Sequence, residues 1–166
     1  MRSIIAVPVI ILTVILQSSV ISRITLLSGY ADLPLIMVSA WALQSKVDTA
    51  WHWAIATGVL VGFVSGVSWV VPLAAYVIVV ALAKILQLRI WQVPLLAMFS
   101  ISLLGTIVID TLVFVSIRFS GALITFQDAF GLHTLPRILL NLLLSVPVYA
   151  VMRDLAHWAY PSSEVE

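Results

Sequence analysis

Long apolar runs separated by short polar stretches make up most of the chain, and their lengths predict its architecture. A helix of about 20 apolar residues crosses a hydrocarbon core roughly 30 Å thick. We predict an all-α integral membrane bundle of about six transmembrane helices. The segments are residues 4–21, 33–45, 51–71, 72–88, 93–117 and 135–151. The second segment would measure only about 20 Å as a helix, so five spans is the alternative count.

Composition supports the bilayer as the solvent of this protein. Of 166 residues, 63% are hydrophobic and 9% are charged, with a mean hydropathy of +1.20. Soluble domains are about half apolar and a quarter charged. We therefore treat residues 1–158 as one transmembrane domain, followed by a polar C-terminal tail at residues 159–166.

Net charge and the absence of cysteine exclude several classes of function. A net charge of +1 is too small for nucleic-acid binding by a basic face. Without cysteine there are no disulfides, thiolate metal sites or thiol nucleophiles. The histidines His52, His133 and His157 are dispersed, and the chain has no His-Glu-x-x-His motif, nucleophile elbow or phosphate loop. We expect a protein that is not an enzyme and has no cofactor or metal.

Basic residues are unequally distributed between the two sides that six spans would create. The side carrying both termini would hold five of them, and the opposite side three. The first group is Arg2, Lys46, Lys84, Arg89 and Arg153, and the second is Arg23, Arg118 and Arg137. Since basic residues concentrate in cytoplasmic loops, this count predicts that both termini are cytoplasmic.

Small residues recur every four positions along the third segment, at Ala54, Gly58, Gly62 and Gly66. On a helix they form one smooth stripe, against which another helix packs closely. The partner is either a neighbouring helix of the same chain or a helix of another protein. Both interpretations make the stripe a packing surface and give it no chemical role.

Asp110 is the one charge well inside a long predicted span, and Thr106 and Ser102 lie on the same helical face at four-residue steps. An ionisable side chain at such depth is costly and marks a functional or partner-facing position. Three interpretations stay open: a hydrogen-bonded carboxyl that joins two helices, a proton or ligand site, and a contact with a partner subunit.

The stretch between Arg118 and Arg137 is too polar to span the membrane and too apolar for a free loop. Phe119, Phe126 and Phe130 are interspersed there with polar residues. We expect either an amphipathic segment on the outer membrane surface or a docking surface for a partner.

Taken in order, several motifs resemble the MreD family of bacterial rod-shape-determining membrane proteins, over residues 1 to about 158. They are Leu16-Gln17-Ser18-Ser19, Asp32-Leu33-Pro34, Gly58, Gly62-Phe63-Val64-Ser65-Gly66, Tyr76, and Leu135-Pro136 with Asn141. The chain departs from the family in one respect. Members commonly carry an acidic residue shortly after the Gly-Phe-x-x-Gly stretch, whereas residues 67–71 here carry no charge.

The resemblance implies a non-enzymatic scaffold in the bacterial cytoplasmic membrane. Such a protein would bind the transmembrane helix of an MreC-like partner. Through that partner it would be linked to MreB, to RodA and to a class B penicillin-binding protein, and so to peptidoglycan synthesis and cell shape. The resemblance also implies a fold similar to the S components of energy-coupling-factor transporters. A vitamin-binding S component is therefore the alternative, although the first segment lacks the small-residue patch with which those proteins dock.

Overall fold

The computed structural model describes residues 5–89, 93–123 and 125–160, which fold almost entirely into helices. The all-α prediction is confirmed. The described part leaves out Arg2, the start of the first predicted segment and most of the C-terminal tail. The helices are α1 (Ala6–Ser19), α2 (Leu33–Ala42), α3 (Ala50–Val64), α4 (Val70–Arg89), α5 (Pro94–Phe119), the single turn α6 (Phe126–Asp128) and α7 (Leu135–Ala159).

Four helical stretches are long and apolar enough to cross a membrane, which agrees with the predicted membrane character. They are Ala6–Arg23, Val70–Arg89, Pro94–Phe119 and Phe126–Ala159. The helices α2 and α3 are apolar but shorter, with 10 and 15 residues. These lengths correspond to about 15 and 22 Å, so six full crossings remain a prediction.

The last of these four stretches begins at Phe126, before α7, because helical structure continues without a break from α6 into α7. A six-residue π-helical segment, Ala129–Thr134, joins α6 directly to α7. The stretch that we expected on the membrane surface is therefore partly a helical extension of the last span. Its rings also pack on α5: Phe126 and Phe130 are stacked at 4.3 Å, and both meet Phe114 edge-on.

The short helix α2 is the centre of the bundle. Its residues from Pro34 to Ala42 are all buried, and it contacts α1, α3, α4, α5 and α7. A helix that is apolar on every side is suited to this position, because it has no face to present to water. Asp32 caps its first turn and is itself 6% exposed, so α2 begins inside the protein.

Two contacts with α4 locate α2 along the bundle. The Tyr76 hydroxyl donates to Asp32 before α2, and the Lys84 ammonium donates to the Val47 carbonyl after it. Tyr76 and Lys84 are eight positions apart, which corresponds to about 12 Å of helix. The chain thus dips into the bundle before α2 begins, and α2 lies beside the middle of α4.

A hairpin of two short strands, absent from the sequence-based prediction, precedes α2 and packs on the start of α7 and on the π-helical segment. Strand β1 (Thr25–Leu26) pairs antiparallel with β2 (Gly29–Tyr30), and Leu27 at the turn has φ 55°. A Cβ atom at Gly29 would lie 2.6 Å from the His133 carbonyl oxygen and 2.9 Å from the Arg137 backbone nitrogen. Only glycine therefore allows the hairpin to lie against the start of α7. We call this end of the bundle the hairpin face.

The small-residue stripe on α3 packs mainly against α4 of the same chain. A Cβ atom at Gly58 would lie 2.7 Å from Cα of Leu73, and one at Gly62 would lie 2.8 Å from Cα of Trp69. Ala54 is fully buried. Gly66 differs, since it is exposed and a Cβ there meets nothing within 4 Å. Two glycines of the stripe thus allow α3 and α4 to approach at backbone distance.

We predict that Gly58→Ala destabilises the protein, because the added methyl group meets α4 backbone that must move. Overpacking of this kind costs about 1–3 kcal/mol, and the better helix propensity of alanine offsets about 1 kcal/mol of it. Thermal unfolding in detergent should give a lower Tm. Gly66→Ala is the matched control and should leave Tm unchanged; equal Tm values for both variants would contradict the close α3–α4 packing.

Candidate functional site

Arg137, in the first turn of α7, lies between two aspartates from distant parts of the chain. Its Nη1 donates to Oδ1 of Asp110 on α5 at 2.5 Å, and its Nη2 donates to Oδ2 of Asp32 at 2.8 Å. The side chains are 20% exposed for Arg137, 11% for Asp110 and 8% for Asp32. Three charges are thus largely removed from solvent in one ion-paired group.

Asp32 joins three helices through its carboxylate. Oδ1 accepts the backbone N–H of Leu35 at 3.0 Å, which caps α2, and it also accepts the hydroxyl of Tyr76 at 3.3 Å. A carboxylate at a helix N-terminus is stabilised by the unpaired N–H groups and by the helix dipole. Arg137 neutralises the other oxygen, so α2, α4 and α7 meet at this residue.

Asn141, one turn further along α7, also bonds to Asp32 and to α5. Its Oδ1 accepts the backbone N–H of Asp32 at 2.7 Å, and its Nδ2 donates to Oγ1 of Thr106 at 2.8 Å. The Thr106 hydroxyl donates in turn to the Ser102 carbonyl at 2.6 Å. The polar face predicted on α5 therefore borders α7, with Thr106 and Asp110 bonded to Asn141 and Arg137. Ser102 is buried, and its hydroxyl has no partner within the described ranges.

Gln17 connects α1 to the backbone around Asp32. Its Nε2 donates to the Ala31 carbonyl at 2.9 Å, and its Oε1 accepts the Leu33 N–H at 2.8 Å. The one side chain thus satisfies backbone groups on both sides of Asp32, where neither a helix nor a strand supplies partners. The Arg137 network, as we name it, consists of Gln17, Asp32, Tyr76, Thr106, Asp110, Arg137 and Asn141.

Two cavities border this network on the hairpin face. A cavity of about 560 Å³ lies between α1, α3, α4 and α5, and Asp32, Tyr76 and Arg137 are among its lining residues. A smaller one of about 220 Å³ lies between α5, β2 and the π-helical segment, with Asp110 and Arg137 in its wall. The Arg137 guanidinium carbon lies 5.5 Å from the centre of the Tyr30 ring, which lines both cavities.

Two polar atoms of the network are buried without a hydrogen-bond partner among the residues described, namely Oδ2 of Asp110 and Nε of Arg137. Asp32 is more completely bonded, because each of its oxygens accepts at least one donor. The described residues contain no group of three or more His, Asp or Glu side chains that could hold a metal ion.

From the residues alone, the sequence predicts two of the seven members of this network, Thr106 and Asp110, as one polar face of α5 together with Ser102. Arg137 is assigned there to the side of the membrane opposite the termini. Asp32, Tyr76 and Asn141 entered only through the family resemblance. One signal was present: Arg137 and Asn141 are four residues apart at the start of an apolar run, and so lie on one helical face. Ala54, Gly58, Gly62 and Gly66 are not part of the network.

No protein-family model, curated protein or solved structure matches this chain significantly. The resemblance to the MreD family therefore rests on the sequence motifs alone.

We predict that Arg137→Met strongly destabilises the protein, because it leaves two buried carboxylates without their cation. Removing one partner of a buried ion pair costs about 3–5 kcal/mol. The measurement is unfolding in mixed detergent micelles, followed by circular dichroism. Adding Asp32→Asn and Asp110→Asn to the same variant should recover most of the loss, since no unpaired charge then remains.

Arg153→Met is the matched control for this experiment. Arg153 also lies on α7 and pairs with Asp154 at 3.1 Å, but the two side chains are 51% and 69% exposed. Surface ion pairs contribute at most about 1 kcal/mol, so this variant should unfold nearly as wild type. If Arg137→Met were equally mild, the buried ion pairs would not hold the bundle together.

Proposed function

We propose that this protein is an MreD-like membrane scaffold, which binds the transmembrane helix of an MreC-like partner in the bacterial cytoplasmic membrane. Through that partner it would organise peptidoglycan synthesis together with MreB, RodA and a class B penicillin-binding protein. It would act by holding helices in place and would not catalyse a reaction.

The observation that carries this proposal is that polar residues of separate MreD-like motifs meet in one network. Gln17, Asp32, Tyr76 and Asn141 belong to four motifs spread over 125 positions, and the other three all contact Asp32 or its flanking backbone. Buried polar groups pair with one another in any apolar bundle, and their meeting here supports the proposal only as far as they come from separate motifs. The motifs therefore describe one structural unit, as expected of a family signature.

The polar side chains of the interior are bonded to other helices of the same chain, which also favours a scaffold. Gln17, Asp32 and Asn141 use their side chains to hold α1, α2, α5 and α7 together. In a bilayer, where apolar burial does not drive helix association, such hydrogen bonds and close packing give a bundle its shape. A bundle of fixed shape can present a constant lateral surface to a partner helix.

The partner helix needs a surface other than the stripe on α3, since Gly58 and Gly62 already pack on α4. A lateral groove between α5 and α7 is a better candidate. It is lined by Phe99, Ser100, Leu103, Leu104 and Leu142, and its volume is about 640 Å³. Its apolar walls lie within two of the spanning helices, so a transmembrane helix is the occupant that suits it.

The same network supports the proposed orientation, with both termini in the cytoplasm. Arg137 is ion-paired inside the bundle, so it no longer counts as a loop charge. The hairpin face then retains Arg23 and Arg118, whereas the opposite side keeps its five basic residues, of which Arg2 lies outside the described ranges. A count of five against two favours cytoplasmic termini and an external hairpin face.

The alternative function, a vitamin-binding S component, is favoured by one observation. The cavity of about 560 Å³ is within the range of about 300–1,000 Å³ that accommodates drug-sized ligands. Its walls combine Gln17, Ser18, Ser22 and Tyr76 with apolar side chains. Copurification of a vitamin with the isolated chain would support this function over the scaffold.

We predict that the wild-type chain co-elutes with an MreC-like protein from mild detergent, and that Leu104→Trp reduces the recovery of that partner several-fold. The indole would fill the groove in which the partner helix packs. The measurement is the molar ratio of the two proteins after size-exclusion chromatography.

Leu12→Trp serves as control, because Leu12 is exposed on the lipid side of α1, away from the groove. It should leave the ratio unchanged. No co-elution of wild type in several mild detergents would refute the scaffold function; equal recovery with Leu104→Trp would refute only the groove as docking site.

A further inference from the structure

The loop that joins α2 to α3, at the end of the bundle opposite the hairpin face, is arranged as expected for contact with water. Its apolar side chains Leu43 and Val47 are buried, and its exposed residues include Lys46 and Asp48. Apolar side chains inside and charged side chains outside is the usual arrangement at a surface that borders water. This loop therefore serves as a reference for the loops at the other end.

The tip of the β1–β2 hairpin shows the reverse arrangement. Ile24, Leu26 and Leu27 are 58%, 44% and 71% exposed, whereas the small residues Gly29 and Ala31 are buried. No charged residue occurs from position 24 to position 31. Three neighbouring aliphatic side chains are unfavourable in water, and exposed apolar patches mark contacts with another molecule or with a membrane.

The backbone at the turn makes the choice of an apolar residue more unusual. Leu26 pairs with Gly29, so Leu27 and Ser28 form a two-residue turn, and Leu27 has φ 55°. Glycine or asparagine is the usual residue at a turn position with positive φ. A leucine there is unfavourable in conformation and, when it faces water, in hydration as well. Apolar surroundings would remove the second disadvantage.

The hairpin cannot bury its tip by folding back, because the turn and the second strand are held on the start of the last span. The Ser28 N–H donates to the Leu132 carbonyl at 3.3 Å, and Nδ1 of His133 lies 3.0 Å from the Ser28 carbonyl oxygen. Gly29 packs on the Arg137 backbone at a distance that leaves no room for a Cβ atom. The aliphatic side chains therefore stay at the surface, where only a molecule outside the chain can cover them.

The position of the loops relative to the spans indicates lipid as that cover. The candidate span Ala6–Arg23 ends directly before Ile24, and the ends of a spanning helix lie near the headgroups. The two other loops of the hairpin face also adjoin spans and expose large apolar residues, namely Trp69 just before α4 and Leu123 four residues after α5. Tryptophan is enriched at the membrane interface. Three separate loops with this property fit a continuous lipid surface better than a single protein contact.

We propose that the hairpin tip, residues 24–27, inserts into the adjoining lipid leaflet, with the side chains of Ile24, Leu26 and Leu27 against the acyl chains. The hairpin has only two strands, so its outer edges are unpaired, which excludes it from the hydrocarbon core and restricts it to the interface. Apolar groups at the interface reach about 5–10 Å into the boundary between headgroups and acyl chains. This contact goes beyond the scaffold function and does not depend on it.

The test uses the full chain, whose lack of cysteine allows one nitroxide label at a chosen position. Leu27→Cys and Ile24→Cys are labelled in phosphatidylcholine vesicles. Electron paramagnetic resonance then measures relaxation of the label by oxygen, which concentrates in lipid, and by a water-soluble nickel chelate. Leu12→Cys, on the lipid side of α1, and Lys46→Cys, in the loop between α2 and α3, are the references.

At positions 24 and 27 we expect relaxation by oxygen to exceed relaxation by nickel at least twofold, as at position 12, with the opposite order at position 46. Faster relaxation by nickel at position 24 or 27 would overturn the proposal, because the tip would then lie in water, free for a soluble partner. Slow relaxation by both reagents would also overturn it, because the tip would then lie in a protein contact, such as one with a second copy of this chain. A Tm equal to that of wild type verifies that each labelled variant is folded.

Discussion

Two carboxylates from distant parts of the chain share one guanidinium inside an apolar bundle, and most other features of the structure depend on that contact. Burying Asp32, Asp110 or Arg137 without a partner would cost free energy. Because the two carboxylates pair with the guanidinium, each charge reduces the cost of burying the others. Because the three residues belong to the start of α2, to α5 and to α7, their pairing also determines where those helices lie. The weak association of apolar helices in lipid makes such polar contacts more important to the architecture than they would be in water.

The half-length helix α2 illustrates this dependence. A helix that begins inside a membrane protein leaves N–H groups unsatisfied, and these groups need partners that the chain itself provides. Asp32 caps the first turn, Gln17 satisfies the backbone on both sides of it, and Asn141 accepts its N–H. The hairpin of β1 and β2 covers this point, and glycine at position 29 allows it to approach α7. The bundle is thus assembled around an interrupted backbone that side chains from α1, α4 and α7 complete.

The proposed scaffold function uses the interior and one lateral surface of this frame. The interior network gives the bundle a fixed shape, and the groove between α5 and α7 offers a lateral surface for a transmembrane helix. The hairpin face carries the two cavities that border the network. The polar residues reach the walls of the cavities but leave the lateral groove apolar, except for Ser100. A membrane protein with few charges therefore concentrates nearly all its chemical specificity at Arg137 and its neighbours.

The sequence by itself predicted that the protein is helical and lies in a membrane, because apolar content and segment length depend only on local composition. It also marked Asp110, Thr106 and Ser102 as one face, since the helical period is a local property. Only the tertiary structure decided what that face meets. Read along the chain, Arg137 is a charge at the end of a segment; in the structure it lies within continuous helix, because the π-helical segment Ala129–Thr134 leads directly into α7, and it pairs with Asp110 and Asp32 inside the bundle. The pairing of positions 32, 110 and 137 spans more than 100 residues, and no local pattern encodes a contact that the packing of separate helices creates.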